Sequence, residues 1–269
     1  MLTFLFWNIN RKPLSDAIAN IAEQESVDIL ILAECAIEPG ALLRTLNRKE
    51  PVFHFAPGQS PEIGIFTRFP RRYLKPTFES SRVSIRRLAL PAHEEILLAA
   101  VHFPSKLFWS DQSQMMECPA LSSTIAEQET HVGHSRTVVV GDFNMNPFEE
   151  GMVGASGLHA VMARNVAGRG ARTVQGRTYP FFYNPMWGHL GDWSDGPPGT
   201  YYYERAEHVS YFWNIFDQVL IRPKLLERFR SDELRIVDQA GDISLRTADG
   251  RPDHDTGSDN FPLLLRLDL

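Results

Sequence analysis

Asp142 and Asn144 stand two residues apart at the end of a short hydrophobic segment, in the sequence Val140-Gly141-Asp142-Phe143-Asn144. A carboxylate can hold or deprotonate a water molecule, and a neighbouring amide can hydrogen-bond that water or a phosphate oxygen without adding charge. The pair therefore predicts a site for water and metal chemistry. The same residues would equally suit an ordinary strand-to-helix turn in which both side chains only cap the backbone.

Polar side chains also stand at the ends of other hydrophobic segments. Asn8 and Asn10 follow the first apolar run, Glu34 follows the second, and His102 follows the strand predicted to end at residue 101. An imidazole there can contact phosphate or pass a proton near neutral pH. Taken singly, Glu34 would be a surface carboxylate and His102 a histidine that bonds its local backbone. Because all of these residues follow the ends of predicted strands, we favour a single functional site that contains them.

The elements that position these residues are predicted from hydrophobic periodicity. Helical spacing predicts helices over 15–25, 41–48 and 107–132, the last broken at Pro119, which lacks a backbone N–H. Continuous or alternating apolar runs between Gly and Pro turns predict strands over 1–7, 27–33, 54–56, 63–67, 73–77, 83–90, 95–101, 137–140, 216–221 and 263–267. The excess of strands disfavours a doubly wound parallel sheet and favours two packed sheets with helices outside.

A further helix is predicted to begin just after the Asp142 turn. Asn146 supplies an N-cap, Pro147 a proline at the first helical position and Glu149 an acid in the first turn. Glycines at 151, 154 and 157 leave the length of this helix open.

Residues 164–211 form an insertion rich in arginine and aromatic residues. Its arginines predict a grip on polyphosphate or a nucleic-acid backbone, or else a solvated loop: Arg164, Arg169, Arg172 and Arg177. Its aromatic residues are predicted to lie mostly in the core, with the others forming a stacking wall for a base or a lid. They include Phe181, Phe182, Tyr183, Trp187, Trp193, Tyr201, Tyr202 and Tyr203.

Composition narrows the class of protein. A chain of 269 residues with 43% hydrophobic content can build one substantial core, so a single domain over 1–269 is expected. The net charge of −6 argues against general adhesion to nucleic acid or acidic membrane, although a local basic patch is compatible with it. Only two cysteines are present, and they lack Cys-x-x-Cys spacing, which predicts a reduced, cytoplasmic protein. Asn8 and Asn10 interrupt the apolar start of the chain, so we expect no signal peptide, membrane span or stable membrane association.

Seven short motifs, taken in order, resemble those of the endonuclease/exonuclease/phosphatase family. They are Trp7-Asn8-Ile9-Asn10, Leu32-Ala33-Glu34, Ile63-Gly64-Ile65-Phe66-Thr67-Arg68, Val101-His102-Phe103, Gly141-Asp142-Phe143-Asn144, Phe216-Asp217-Gln218-Val219 and Ser258-Asp259-Asn260-Phe261-Pro262. Each motif is weak alone, but together they span nearly the whole chain. The resemblance implies an α/β fold, a four-layer α/β/β/α sandwich of two mostly antiparallel sheets flanked by helices, with the polar strand ends at one rim.

The resemblance also implies a role for each matching residue. Three would hold one or two divalent cations, Mg²⁺ or Mn²⁺, which prefer oxygen ligands: Asn10, Glu34 and Asp259. Three would contact the scissile phosphate: Asn8, Asn144 and His102. Asp142 would orient or deprotonate the attacking water.

Asn260 departs from the family pattern. The usual C-terminal motif is Ser-Asp-His, in which the histidine handles protons together with a buried aspartate, here Asp217. An amide can donate to a phosphate oxygen but does not titrate near neutral pH. Three alternatives follow: a working phosphodiesterase in which His102, His254 or His208 handles protons, a slow or specialised hydrolase, or a binding protein without turnover.

The other motif residues are retained, which favours an enzyme. The expected activity is that of a metal-dependent phosphodiesterase, foremost a nuclease with DNA or RNA as substrate, because the insertion could supply backbone contacts and stacking. A small phosphoester such as a nucleotide or an inositol phosphate is the alternative substrate. Oligomeric state is not indicated by the sequence.

Overall fold

The structure is a computed structural model that describes residues 1–106, 109–206 and 208–269. Its α-helices are α1 (Ser15–Gln24), α2 (Pro39–Leu46), α3 (Asp111–Val132), α4 (Glu150–Val153) and α5 (Arg164–Ala167). Its first strands are β1 (Leu2–Asn8), β2 (Ile29–Ala33), β3 (His54–Phe55), β4 (Ile63–Thr67), β5 (Leu74–Glu79), β6 (Val83–Leu88), β7 (Ile96–His102), β8 (Thr137–Asp142) and β9 (Ala160–Val161). The later strands are β10 (Ala171–Val174), β11 (Arg177–Pro180), β12 (Phe182–Tyr183), β13 (Tyr201–Tyr203), β14 (Phe212–Asn214), β15 (Asp217–Ile221), β16 (Arg235–Ile236), β17 (Gln239–Ala240), β18 (Ile243–Ser244) and β19 (Leu263–Leu267).

Two large sheets dominate the architecture. A six-stranded sheet has the order β16-β19-β1-β2-β4-β3, and a seven-stranded sheet has the order β5-β6-β7-β8-β15-β12-β9. Most neighbours are antiparallel, whereas β1 with β2, β7 with β8 and β9 with β12 are parallel. Helices flank the sheets, so the predicted α/β/β/α sandwich is confirmed.

The sheets pack through a shared hydrophobic core. Phe4 and Leu30 of the first sheet lie in one buried cluster with Val140 and Val219 of the second. Val139, on the opposite face of β8, belongs instead to a cluster that reaches helix α3. β8 is therefore buried on both faces, as its continuous β-branched sequence predicts.

Helix α3 corrects the predicted break at Pro119. The helix runs unbroken from Asp111 to Val132 with the proline inside it, while residues 107 and 108 of the predicted helix lie outside the described residues. Cys118, Leu121 and Ile125 of the helix are buried against the second sheet. Their burial outweighs the one backbone hydrogen bond that a proline removes.

The helix predicted to begin at Asn146 is also corrected. Helix α4 begins at Glu150 and has only four residues. The Asn146 side chain caps no helix: its Oδ1 accepts from the backbone N–H of Ile215 over 2.9 Å, and its Nδ2 donates to Asn214 Oδ1 over 2.8 Å. These contacts tie the turn to the β14–β15 connection.

The insertion is less buried than predicted. Of its eight aromatic residues named above, only Phe181 and Phe182 are buried, and Trp193 is 96% exposed. The prediction of a mostly core location is therefore wrong: Tyr201, Tyr202 and Tyr203 lie in the surface hairpin β13–β14, and Tyr183 and Trp187 are only partly buried. Within the part of the chain that the structure describes, no helix has the length and hydrophobicity needed to cross a membrane.

Candidate active site

The strand ends that carry the polar side chains meet at one edge of the two sheets. Asn8 at the end of β1 lies beside Ala33 of the parallel β2. His102 at the end of β7 lies beside Asp142 of the parallel β8. β15 runs the other way and begins with Asp217 opposite Asp142. Topology therefore gathers residues that are more than 100 positions apart in sequence.

Three site residues adopt left-handed backbone geometry where their strands end. The φ angles are 46° at Asn10, 48° at Glu34 and 51° at Asn144. Asparagine tolerates this region, but for other non-glycine residues it is uncommon. At Glu34 such strain costs about 1–3 kcal/mol, and strain of this kind concentrates at functional sites. The backbone thus turns each side chain into the rim.

Asn8 connects the two sheets at the site. Its Nδ2 donates to Asp142 Oδ2 over 3.0 Å and to Glu34 Oε1 over 3.3 Å. Its Oδ1 accepts from the backbone N–H of Asn10 over 3.1 Å. Asn8 therefore holds two carboxylates at fixed positions. The contact between Asn8 and phosphate that the resemblance implies stays a prediction.

His102 lies behind Glu34. Its Nε2 is 3.3 Å from Glu34 Oε1, and only 8% of the residue is exposed. Burial disfavours the imidazolium, but the carboxylates of Glu34, Asp142 and Glu62 outweigh that effect and raise the pKa of His102. The hydrogen bond from His102 in turn lowers the pKa of Glu34 against the effect of burial. His102 thus orients a carboxylate that stays ionised.

Asp142 and Asn144 form a compact turn at the end of β8. Asp142 Oδ1 accepts from the backbone N–H of Asn144 over 2.8 Å, and Asn144 Nδ2 donates to the Phe103 carbonyl over 2.9 Å. Burial raises the pKa of Asp142, although His102 and the hydrogen bond from Asn8 oppose this. A raised pKa makes a carboxylate a better proton acceptor near neutrality.

Asn260 is paired with the buried Asp217. Its Nδ2 donates to Asp217 Oδ2 over 2.7 Å. In the part of the chain that the structure describes, Asp217 Oδ1 has no hydrogen-bond partner. Burial, and then the charge of Asp142, raise the pKa of Asp217 well above its usual range despite the amide donor. Burial and the neighbouring charge therefore favour the protonated form of Asp217, while the hydrogen bond from Asn260 opposes them.

A cavity of about 580 Å³ opens at this edge. Its lining includes most of the site residues predicted from the sequence, namely Asn8, Asn10, Glu34, Asp142, Asn144, Asp259 and Asn260. His102 and Asp217 lie behind this lining and contact it through Glu34 and Asn260. The volume is within the range of pockets that bind small molecules or a short segment of a polymer.

The four arginines of the insertion do not belong to this cavity lining. Arg164 donates to the Leu226 carbonyl, and Arg172 Nε donates to His159 Nε2 over 2.9 Å. His254 and His208, the displaced histidines considered above, are not lining residues either. A role for these residues in substrate binding or proton transfer stays a prediction that the cavity does not support.

Several lining residues were not predicted from the sequence as part of the site. These are Ser105, Lys106, Asn146, Arg205, Val209, Ser210, Tyr211, Asn214 and Phe216. Lys106 follows His102 by four residues, so its position after a strand end was the available signal. Ser105 follows the same strand end, and Asn146 lies in the turn after β8. The remaining six come from hairpin β13–β14 and its flanks, whose place beside the site depends on tertiary structure.

Oxygen atoms suited to a hard cation line the same cavity. Glu34 and Asp259 bring carboxylates, and Asn10 brings an amide oxygen. Among the described residues, no group of three His, Cys, Asp or Glu side chains could hold a metal ion. Mg²⁺ commonly takes one or two protein carboxylates and keeps waters or substrate phosphates as its other ligands. The donor set fits an ion bound in that way.

Three solved structures share this architecture at low sequence identity. D. rerio TDP2 complexed with single strand DNA product is 16% identical, with 100% of this chain and 99% of that chain covered and a TM-score of 0.58. An AP endonuclease from Archaeoglobus fulgidus is 15% identical, with 100% of both chains covered and a TM-score of 0.56. The 3′ phosphatase NExo from Neisseria, bound to a product DNA hairpin, is 15% identical, with 100% of both chains covered and a TM-score of 0.57.

These three likenesses concern the fold, and no curated protein matches the sequence. The sequence itself matches the Endonuclease/Exonuclease/phosphatase family over residues 5–259. That span contains Asn8, Glu34, Asp142 and Asn144, whose side chains the structure brings together. The chain therefore belongs to the endonuclease/exonuclease/phosphatase family.

Proposed function

We propose that the protein is a divalent-metal-dependent phosphodiesterase that cleaves nucleic acid. The proposal depends on one observation. At the edge of the two sheets, Asn8 donates hydrogen bonds to Glu34 and Asp142 in a cavity that Asp259 and Asn144 also line. The family comprises hydrolases that act on phosphoester bonds. A carboxylate pair, amide donors and room for a ligand are the groups that such chemistry uses.

The residues proposed to hold the ion are Glu34, Asp259 and Asn10, with Mg²⁺ or Mn²⁺ as the ion. When bound, the cation would offset negative charge on the phosphoryl oxygens and on the leaving oxygen. The pKa of Glu34 is lowered by its hydrogen bond from His102, so this carboxylate is ionised and ready to act as a ligand over a wide pH range.

The other residues supply positioning and proton transfer. Asp142 lines the cavity and has a raised pKa, which suits it to orient a water molecule and accept its proton. Asn144 shares its turn with Asp142 and can donate from its amide to a phosphate oxygen. Asn260 holds its amide at the cavity through the hydrogen bond to Asp217 and can donate in the same way.

Nucleic acid is the proposed substrate because the lining combines aromatic rings and cations beside the carboxylates: Tyr201, Tyr203, Tyr211, Phe216, Lys106 and Arg205. Two neighbours in fold were solved with DNA, namely TDP2 with a single-stranded product and NExo with a product hairpin. A small phosphoester without a base, such as an inositol phosphate, would use the carboxylates and amides but would leave the aromatic rings without a partner.

A hydrolysis panel tests the proposal. Single- and double-stranded DNA, RNA, small phosphodiesters and phosphomonoesters are incubated with the protein and Mg²⁺ or Mn²⁺, beside the Glu34→Ala and Asp142→Ala variants. We expect cleavage of a nucleic acid that chelator and both substitutions abolish. Glu227→Ala, which removes an exposed carboxylate outside the cavity lining, serves as the matched control and should cleave normally.

The panel also separates the alternatives. Cleavage of a small phosphoester alone would reassign the substrate. Binding without cleavage of any substrate, in the presence of either cation, would reject the enzyme and leave a phosphate-binding protein whose Asn260 cannot transfer protons.

A further inference from the structure

An aromatic wall lines the cavity beside the strand ends and consists of Tyr201, Tyr203, Tyr211 and Phe216. Tyr201 stacks on Phe216 with ring centroids 5.2 Å apart and on Tyr203 with centroids 6.3 Å apart. Phe148 contacts Tyr211 edge-on at 5.2 Å. Exposure increases from 9% at Phe216 to 39% at Tyr203 and 59% at Tyr211. The aromatic wall thus extends from the floor of the site to solvent.

Two cationic side chains accompany the aromatic wall. The Lys106 ammonium lies 5.9 Å from the Phe216 ring centroid, and the Arg205 guanidinium lies 5.1 Å from the Tyr203 ring centroid. Lys106 Nζ is also 2.6 Å from both carboxylate oxygens of Glu149, which fixes its position at the rim. Rings for stacking, alternating with cations for phosphates, are the combination found in channels for single-stranded nucleic acid.

The outer rings of the aromatic wall are more exposed than aromatic residues of the core. Tyr203 and Tyr211 each contact a neighbouring ring and still keep large exposed areas, so part of each ring stays accessible to a ligand. Tyr201 forms a bridge to Asn260 through the backbone, which places the wall directly beside the pair formed by Asn260 and Asp217. Tyr201 and Asn260 thus line the same cavity.

We propose that the aromatic wall binds an unpaired base next to the scissile phosphate, so that single-stranded nucleic acid is the preferred substrate. Lys106 and Arg205 contact the flanking phosphates. This inference rests on the proposed function, because it assigns the substrate of the same site. A base offers its face to a protein ring only when it leaves the duplex stack, so the aromatic wall discriminates between single and double strands.

The test measures binding by fluorescence anisotropy with Mg²⁺ in an Asp142→Asn background. Three probes are compared: a single strand of about ten nucleotides, within the usual site size of such channels, its duplex, and a strand of equal length in which tetrahydrofuran replaces every base. Tyr203→Ala and Tyr211→Ala are set against Trp193→Ala, which removes an exposed aromatic residue outside the cavity lining. Tyr203→Phe keeps the ring.

We expect tighter binding of the single strand than of the duplex or the base-free strand. Each tyrosine-to-alanine change should weaken binding of the single strand by about fivefold to a hundredfold, the range for loss of one stacked base. Trp193→Ala and Tyr203→Phe should bind as the parent does, and binding of the base-free strand should not change in any variant.

Two results would overturn the inference. One is equal affinity for the single strand in the Tyr203→Ala, Tyr211→Ala and Trp193→Ala variants. The other is an equal loss on the base-free strand, since that would reflect charge or folding and not stacking. Hydrolysis of the panel substrates by the unaltered protein is measured in parallel. If that protein cleaves none of them but still binds the single strand in a base-dependent way, only the proposed function is rejected.

Discussion

Replacing Asn260 with histidine tests how the site handles protons. Asparagine Nδ2 and histidine Nδ1 are both bonded to Cγ, so the imidazole can keep the donation to Asp217 Oδ2 that now spans 2.7 Å. The rest of the ring would extend into the cavity, which Asn260 already lines. The variant therefore adds a titrating Nε2 beside the substrate with little change in the buried hydrogen bond.

The gain expected from this change is large. General acid–base catalysis contributes about 10²–10⁴-fold, so we expect kcat to rise by about 10²-fold, the lower end for a group added to an existing site. The imidazolium would favour the ionised form of Asp217, and that carboxylate should in turn raise the pKa of the new imidazole above its ordinary ~6.5. Steady-state kinetics across about pH 5–9 should therefore show a new inflection above that value. Asn260→Ala, which removes the amide donor without adding an imidazole, is the control.

The reasoning fails if Asn260→His folds normally and binds substrate but turns over at the original rate or more slowly. That result would mean that the amide itself is required, as a donor to a phosphate oxygen, and that proton transfer takes place elsewhere in the site. A rise in kcat without a new inflection would likewise argue against general acid–base catalysis by residue 260.

Two further predictions concern stability. The pKa of Asp217 is raised in the folded protein, so its contribution to stability is greatest below the unfolded pKa of ~3.9. That contribution falls as pH rises, by up to about 1.4 kcal/mol per pH unit. Asp217→Asn cannot ionise, so in urea unfolding it should gain stability over the original protein between about pH 5 and 8, and a pH-independent difference would contradict this. A Cβ on Gly141 would lie 2.0 Å from the Val101 carbonyl oxygen, whereas one on Gly188 meets nothing within 4 Å. Gly141→Ala should therefore lower the free energy of unfolding by about 3 kcal/mol through overpacking, and Gly188→Ala should lower it far less. Equal unfolding midpoints for the two variants would refute the steric argument.

Much of the fold follows from local pattern. The predicted strand 263–267 and the helix beginning at Ser15 agree with β19 and α1, because a continuous buried run or a clear apolar stripe leaves few alternatives. The predictions failed where tertiary contacts decide. Pro119 stays inside α3 because the helix packs on the second sheet, and Asn146 is drawn away from a helix cap by Asn214 and Ile215.

The site was predictable where polar residues end hydrophobic strands. Glu34 and Asp142 could be named because a buried strand that ends in a carboxylate needs a chemical reason. Arg205 and Tyr211 could not, since nothing in their local sequence shows that hairpin β13–β14 lies beside the site. The arginines of the insertion were the opposite case: their charge pattern suggested a phosphate site, but the fold places them outside the cavity lining.

Charge balance explains why a cation and a substrate would depend on each other at this rim. Glu34, Asp142 and Asp259 line the cavity, and a phosphodiester brings a further negative charge, so Coulomb repulsion opposes its approach to the floor. A histidine at 260 could carry a compensating positive charge, whereas the amide of Asn260 cannot. A divalent ion held by Glu34 and Asp259 would offset this repulsion. By thermodynamic linkage, the substrate must then strengthen binding of the ion by the same factor as the ion strengthens binding of the substrate.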